Sequence, residues 1–200
     1  MRGIEQLGAE GVGRAFVAVP CPPGLRQALA EAGPGWRGVD ADVRWVDPAI
    51  AHLTIRFLGR AARSELKALD QSLAEIAART PPVELTPGEP GAFPGWRRPR
   101  ILWLGLEDGG ALGPVAEGIE AAARGAGFPP EEREFRPHLT LGRVRSPRGA
   151  ARAVAAIQGW RSGSGPETVA EIVLYRSDLG SQGPRYTPLA TYALTGRRTP

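Results

Sequence analysis

The chain holds two histidines, and both open the same pattern: His52-Leu53-Thr54-Ile55 and His138-Leu139-Thr140-Leu141. With 19 leucines and 9 threonines in 200 residues, a given dipeptide reads Leu-Thr about four times in a thousand, so its recurrence directly behind both histidines is a poor candidate for chance. The copies lie 86 residues apart, close to half the chain, and each sits in a strand-like run flanked by helical patterns of its own. A repeat of this length is the mark of a duplicated unit, and it limits the fold to two halves related by pseudo-symmetry.

Apolar periodicity supplies the elements around the two motifs. Residues 14 to 20 read as a strand, followed by a helix with Leu25, Leu29 and Ala32 on one face and a stop at Gly33-Pro34. Strands at 43–46 and 52–58 flank the Asp47-Pro48 turn, and Ser64 caps a helix whose Leu66, Leu69, Leu73 and Ile76 form one stripe. The second half offers strands at 83–86, 100–106 and 138–144, a helix striped by Leu112, Val115, Ile119 and Ala122, and a helix over 150–157. Two last strands, 169–175 and 186–194, flank a turn at 180–184. About eight strands to four helices, not strictly alternating, predict an α+β chain. It is expected to be bilobal: a pseudo-two-fold pair of antiparallel-rich sheets, helices on the outside and a central cleft carrying the two His-x-Thr strands. Residues 1–13 are expected to fray as a flexible tail, and 14–195 to form the single bilobal domain.

Strand alternation puts His52, Thr54 and Arg56 on one face and Leu53, Ile55 and Phe57 on the other. The same parity groups Arg136, His138 and Thr140, and turns Arg143 away from His138. Facing lobes would then bring two imidazoles, two hydroxyls and flanking arginines to one cleft. One neutral imidazole can take a proton from a nucleophile while the other, protonated, donates to a leaving oxygen; an ordinary pKa of about 6.5 lets both forms coexist near neutrality. Thr54 and Thr140 can donate to phosphate oxygens, with arginine as counter-charge. The chain's positive charge is arginine charge, since Lys67 is the only lysine among 25 basic residues, and the planar guanidinium favours phosphate-bearing partners. Arg97, Arg98 and Arg100 beside Trp96 and Phe93 form a combination suited to single-stranded RNA. Trp45, Trp103 and Phe57 read as core.

At this point the chain resembles the two-histidine (2H) phosphoesterase superfamily, whose mark is a paired His-x-Thr/Ser. Val43-Arg44-Trp45-Val46 leading into His52 through Gly59, Gly91-Ala92-Phe93-Pro94, Arg98 through Trp103, and Phe135-Arg136-Pro137-His138 through Arg143 narrow the resemblance to the RNA 2′,3′-cyclic phosphodiesterases, formerly called 2′-5′ RNA ligases. The late segments Leu174-Tyr175-Arg176-Ser177 and Gly183-Pro184-Arg185-Tyr186 belong to it as well. That resemblance implies hydrolysis of an RNA 2′,3′-cyclic phosphate end to a 2′-phosphate, with 2′-5′ ligation as the related reversal. It implies His138 as general base and His52 as general acid, an order that two nearly identical motifs leave open. Catalytic work is thus expected of His52, His138, Thr54 and Thr140, and phosphate contact of Arg56, Arg136 and Arg143. The rival readings are a 2H phosphoesterase acting on another cyclic nucleotide or a 2′-5′ oligonucleotide, and a silent module that binds RNA ends.

The remaining expectations are absences. No Gly-Lys-Ser/Thr phosphate loop is present, and Lys67 falls on an amphipathic helix, so ATP-driven chemistry is not expected. Cys21 has no pairing partner and the two histidines lack further ligands at metal spacing, so no metal or other cofactor is expected. No run approaches a membrane span. The expected setting is a cytoplasmic monomer without membrane contact or obligatory protein partner, whose partner is RNA with a cyclic phosphate end, such as tRNA fragments.

Overall fold

The computed structural model describes residues 3–7, 12–180 and 183–197. Its strands are β1 (Val12–Pro20), β2 (Val43–Trp45), β3 (His52–Ala61), β4 (Val83–Phe93), β5 (Ile101–Glu107), β6 (His138–Val144), β7 (Glu167–Val169), β8 (Glu171–Gly180) and β9 (Gly183–Ala193). The helices are α1 (Pro23–Arg37), α2 (Arg63–Arg79), α3 (Leu112–Gly125) and α4 (Ala150–Gln158). The strands form one curled antiparallel sheet in the order β7-β4-β5-β6-β3-β1-β8-β9, with β2 beside β6. This order places four strands on each side of the β3/β6 junction, and each inner strand carries one histidine motif. The two expected sheets are therefore joined edge to edge, and the junction is a single residue pair, Leu53 opposite Leu139. One pair leaves the strands free to diverge on either side of it.

The helices cover one face of the sheet. Leu53 and Leu139 are at most 1% exposed and lie in a continuous core with Leu66, Leu69 and Leu73 of α2, and Leu112 and Ile119 of α3. These are the stripes that the 3.6-residue periodicity marks out. Burial in the same core pushes the Cys21 thiol up to about 12, which leaves it protonated and inert at neutral pH.

Several boundaries differ from expectation for identifiable reasons. Helix α1 runs through Gly33-Pro34 to Arg37. Proline there forfeits one backbone donor, but Gly38 N–H bonds back to Pro34 O, and buried Trp36 anchors the last turn against Trp45 and Trp160. Ser64 lies inside α2 rather than capping it: Ala62 precedes the helix, and its N–H is satisfied by Glu65 Oε2 at 2.6 Å. Strand β4 continues past Thr86 because its register shifts between Pro87 and Pro90, where prolines occupy an irregular stretch that needs no ladder donors. Of the segment expected to fray, residues 3–6 form a 3-10 turn with Ile4 only 2% exposed and Glu5 paired to Lys67 at 3.2 Å, while Val12 and Gly13 open β1. Residues 1, 2 and 8–11 lie outside the described residues. No described helix is long and apolar enough to cross a membrane.

Candidate active site

The face of the sheet turned away from the helices carries the histidines. With Leu53 and Leu139 paired and buried in the core, His52 and Thr54 of β3 and His138 and Thr140 of β6 fall by strand alternation on the opposite, helix-free face. The arrangement maps onto itself when the halves are exchanged, which makes the sequence repeat a spatial one.

Both imidazoles are held the same way. His52 Nδ1 is 3.0 Å from the carbonyl of Ile50, and His138 Nδ1 is 2.6 Å from the carbonyl of Arg136. A carbonyl only accepts, so each Nδ1–H donates, and the neutral ring presents an unprotonated Nε2 that has no protein partner among the described residues. Burial lowers both histidines below their ordinary value, partly offset by these Nδ1 bonds. The positive charge of Arg143 acts on both rings in the same sense as burial, joined by His138 for His52 and by Arg133 for His138. In the free protein both rings therefore favour the neutral form. The Thr54 and Thr140 side chains are half-buried, and neither hydroxyl is engaged among the described residues.

The expected roles of the arginines are redistributed by two β-bulges. Val17 and Ala18 of β1 face Arg56 and Thr54, which leaves Ile55 as an extra residue in β3. Leu102 and Trp103 of β5 likewise face Gly142 and Thr140, which leaves Leu141 extra in β6. An extra residue reverses the side-chain alternation beyond it. Arg56 is thereby turned onto the helix face, 6% exposed, where its Nε lies 2.5 Å from Glu120 of α3 and its other nitrogens donate to the carbonyls of Phe57 and Pro129. The expectation that Arg56 shares the histidine face is corrected, and Phe57, expected in the core, takes that face with 42% exposure. The equivalent bulge turns Arg143 toward the histidines, contrary to simple parity. Arg136 stays exposed and pairs with Glu134 at 2.9 Å; its carbonyl, not its guanidinium, meets His138.

Aromatic rings frame each histidine. Phe16 stacks on His52 at 4.7 Å with an interplanar angle of 28°, and Tyr186 meets the same ring edge-on at 4.9 Å. Tyr175 stacks on Phe16 at 5.2 Å, and Phe57 lies 5.6 Å from it. On the other side Phe93 and Trp103 approach His138 edge-on at 5.2 and 6.0 Å. Trp103, read from sequence as core, thus belongs to the site. It lies flat over Gly91, where an added Cβ would fall 2.0 Å from the indole. In the predicted RNA-binding loop Phe93 reaches the site, Trp96 packs against the core, and Arg97, Arg98 and Arg100 are exposed. Sequence reasoning assigned no role to Phe16, Tyr175 or Tyr186. Strand parity with His52 could have flagged Tyr175 and Tyr186 only if the β1–β8–β9 pairing had been known.

Two imidazoles with open Nε2 atoms, two hydroxyls and inward arginine charge form an arrangement that can carry out acid-base chemistry on an anionic ester. Comparison with known proteins gives the family. The 2′-5′ RNA ligase superfamily model matches residues 25–181. The chain is 32% identical over 184 residues to the RNA 2′,3′-cyclic phosphodiesterase of Methanothermobacter thermautotrophicus, covering 90% of this chain and 98% of that protein. It is 32% identical over 186 residues to the Escherichia coli enzyme of the same name, covering 91% and 97%. Among solved structures, TT0787 of Thermus thermophilus superposes with a TM-score of 0.77 at 29% identity, over 92% of this chain and all of that one. Escherichia coli LigT complexed with 3′-AMP superposes with a TM-score of 0.73 at 28% identity, over 92% and 98%. The chain belongs to the 2′-5′ RNA ligase superfamily.

Proposed function

We propose that this protein is an RNA 2′,3′-cyclic phosphodiesterase that opens the cyclic phosphate to a 2′-phosphate by paired histidine catalysis. The observation that carries the proposal is the Leu53–Leu139 junction, which brings both His-x-Thr motifs to one face while carbonyl bonds at Nδ1 leave both Nε2 atoms open. The names and coverage of the relatives supply the substrate class.

With both rings neutral in the free protein, an anionic phosphodiester between them favours protonation of one. His138 Nε2 takes a proton from water as its oxygen bonds to phosphorus, and His52 Nε2–H protonates the 3′-oxygen as the P–O3′ bond breaks. This order of roles follows the motif resemblance. Each such proton transfer contributes about 10² to 10⁴ in rate. Thr54 and Thr140 donate to the non-bridging oxygens, and Arg143 supplies positive charge beside them. A 5′-hydroxyl in place of water would give a 2′-5′ bond by the same steps. The binding partner is RNA carrying the cyclic end, and neither a metal nor another cofactor takes part in any step.

The test is turnover of a short RNA with a 2′,3′-cyclic phosphate, without ATP, for the natural protein and for His52→Ala and His138→Ala. A 2′-phosphate product with both variants reduced by at least about 10² supports the proposal. A folded natural protein that leaves the cyclic end intact overturns it.

A further inference from the structure

Arg44 of β2 and Arg143 of β6 are direct cross-strand partners, flanked by the pairs Val43–Val144 and Trp45–Gly142. Val43 and Trp45 turn toward the core, so Arg44 and Arg143 emerge together on the histidine face. Opposed residues in an antiparallel pair hold their Cβ atoms about 4.5–5.5 Å apart, and like charges in that position repel. Neither guanidinium has a carboxylate or other hydrogen-bond partner among the described residues. The contrast with neighbouring arginines is sharp: Arg145 pairs with Asp42 at 2.8 Å, Arg152 with Asp40 at 3.0 Å and Arg176 with Asp178 at 2.9 Å. Gly183, at the start of β9, lies beside the same spot: a Cβ added to it would fall 3.1 Å from a guanidinium nitrogen of Arg44. Two uncompensated cations kept face to face beside an ester-hydrolysing site are best explained by an anion that joins them.

We infer that Arg44 and Arg143 form a second phosphate subsite, which binds the phosphodiester on the 5′ side of the terminal nucleoside while the cyclic phosphate lies between the histidines. The inference rests on the phosphodiesterase reading above. Because the cyclic phosphate ends its strand, its one neighbouring phosphate is the 5′ one, and Arg143 acts on both histidine rings whereas Arg44, its partner on β2, acts on neither. Arg143 then bridges the two phosphates, and Arg44 serves the outer one. Such a subsite makes the protein prefer a chain end over a free cyclic mononucleotide, independently of base identity.

The experiment compares three substrates: a nucleoside 2′,3′-cyclic phosphate, a dinucleotide with the same cyclic end, and that dinucleotide with a neutral methylphosphonate in place of its internal phosphodiester. The natural protein should favour the anionic dinucleotide over the methylphosphonate by about 10- to 100-fold in kcat/KM, the range of a charge-assisted contact, and Arg44→Gln should bring that ratio close to one. An Arg44→Lys variant should restore part of it, and thermal denaturation checks that both variants are folded. An unchanged ratio in Arg44→Gln, or no preference in the natural protein, overturns the subsite. Calorimetric binding of the 2′-phosphate-ended dinucleotide and its methylphosphonate separates this from the function itself. Absent turnover with Arg44-dependent binding refutes the phosphodiesterase and keeps the subsite, whereas turnover without Arg44 dependence does the reverse.

Discussion

Replacing Arg56 by Met separates the two placements of this residue, because a phosphate ligand and a structural bolt fail differently. Arg56 is 7% exposed at its side chain, and its ion-pair partner Glu120 is 27% exposed. Glu120 also accepts the Glu131 N–H at 3.1 Å, so the pair ties β3 and α3 to the loop before β6. Removing one partner of a buried pair costs about 3–5 kcal/mol. Water reaching the half-open Glu120 offsets part of that, and the methionine stem keeps the packing, so a loss of about 2–4 kcal/mol is expected. For a domain of this size each kcal/mol lowers Tm by about 2–4 °C, which makes the expected fall about 5–15 °C. Urea unfolding and calorimetry measure it, and kcat/KM for the cyclic-ended RNA should stay within about threefold of the natural protein at a temperature where the variant is folded. Glu120→Met added to Arg56→Met should recover part of the loss, since the uncompensated carboxylate is then gone. A variant with undiminished Tm and kcat/KM reduced by about 10² would place the guanidinium at the substrate and refute the bulge argument.

Four further outcomes are expected. A substrate with sulfur in place of the 3′-bridging oxygen should restore turnover to His52→Ala but not to His138→Ala, because a thiolate leaves without protonation; rescue of the other variant would exchange the roles. Stability should fall as pH drops below the ordinary histidine value of about 6.5, because the unfolded chain binds protons that the buried rings refuse until their lower folded pKa is reached. Urea midpoints from pH 7 to 5 should lose part of this slope in His52→Gln and His138→Gln, and an unaltered slope would refute the assignment. Gly91→Ala should push Trp103 from its seat and cost about 1–3 kcal/mol, with a reduced kcat; unchanged Tm and kcat would show that the indole moves freely. Turnover should persist in EDTA, and its loss with recovery on adding a divalent cation would overturn the metal-free mechanism.

The degree to which the site was legible in the sequence follows from how local each signal is. Strand alternation is a property of the immediate backbone, so the shared face of His52 with Thr54 and of His138 with Thr140 could be read two residues at a time. The helical stripes of α2 and α3 were legible for the same reason. What lay beyond Thr54 and Thr140 was not, because one extra residue in each strand reverses the parity, and neither Ile55 nor Leu141 announces a bulge. Arg56 and Phe57 exchanged faces on that account, and Arg143 came inward. The aromatic frame was hidden more deeply, since Phe16, Tyr175 and Tyr186 meet His52 only through the pairing of β1, β8 and β9.

By itself, then, the sequence determined that two equivalent imidazole-hydroxyl pairs exist, that each rides a strand, and that the charge available to serve them is arginine. Tertiary structure decided which arginines reach the histidine face and which hold the fold together, because a guanidinium's partner depends on the face it occupies. That face is set by strand register and bulges, and these arise from pairing residues far apart in the chain.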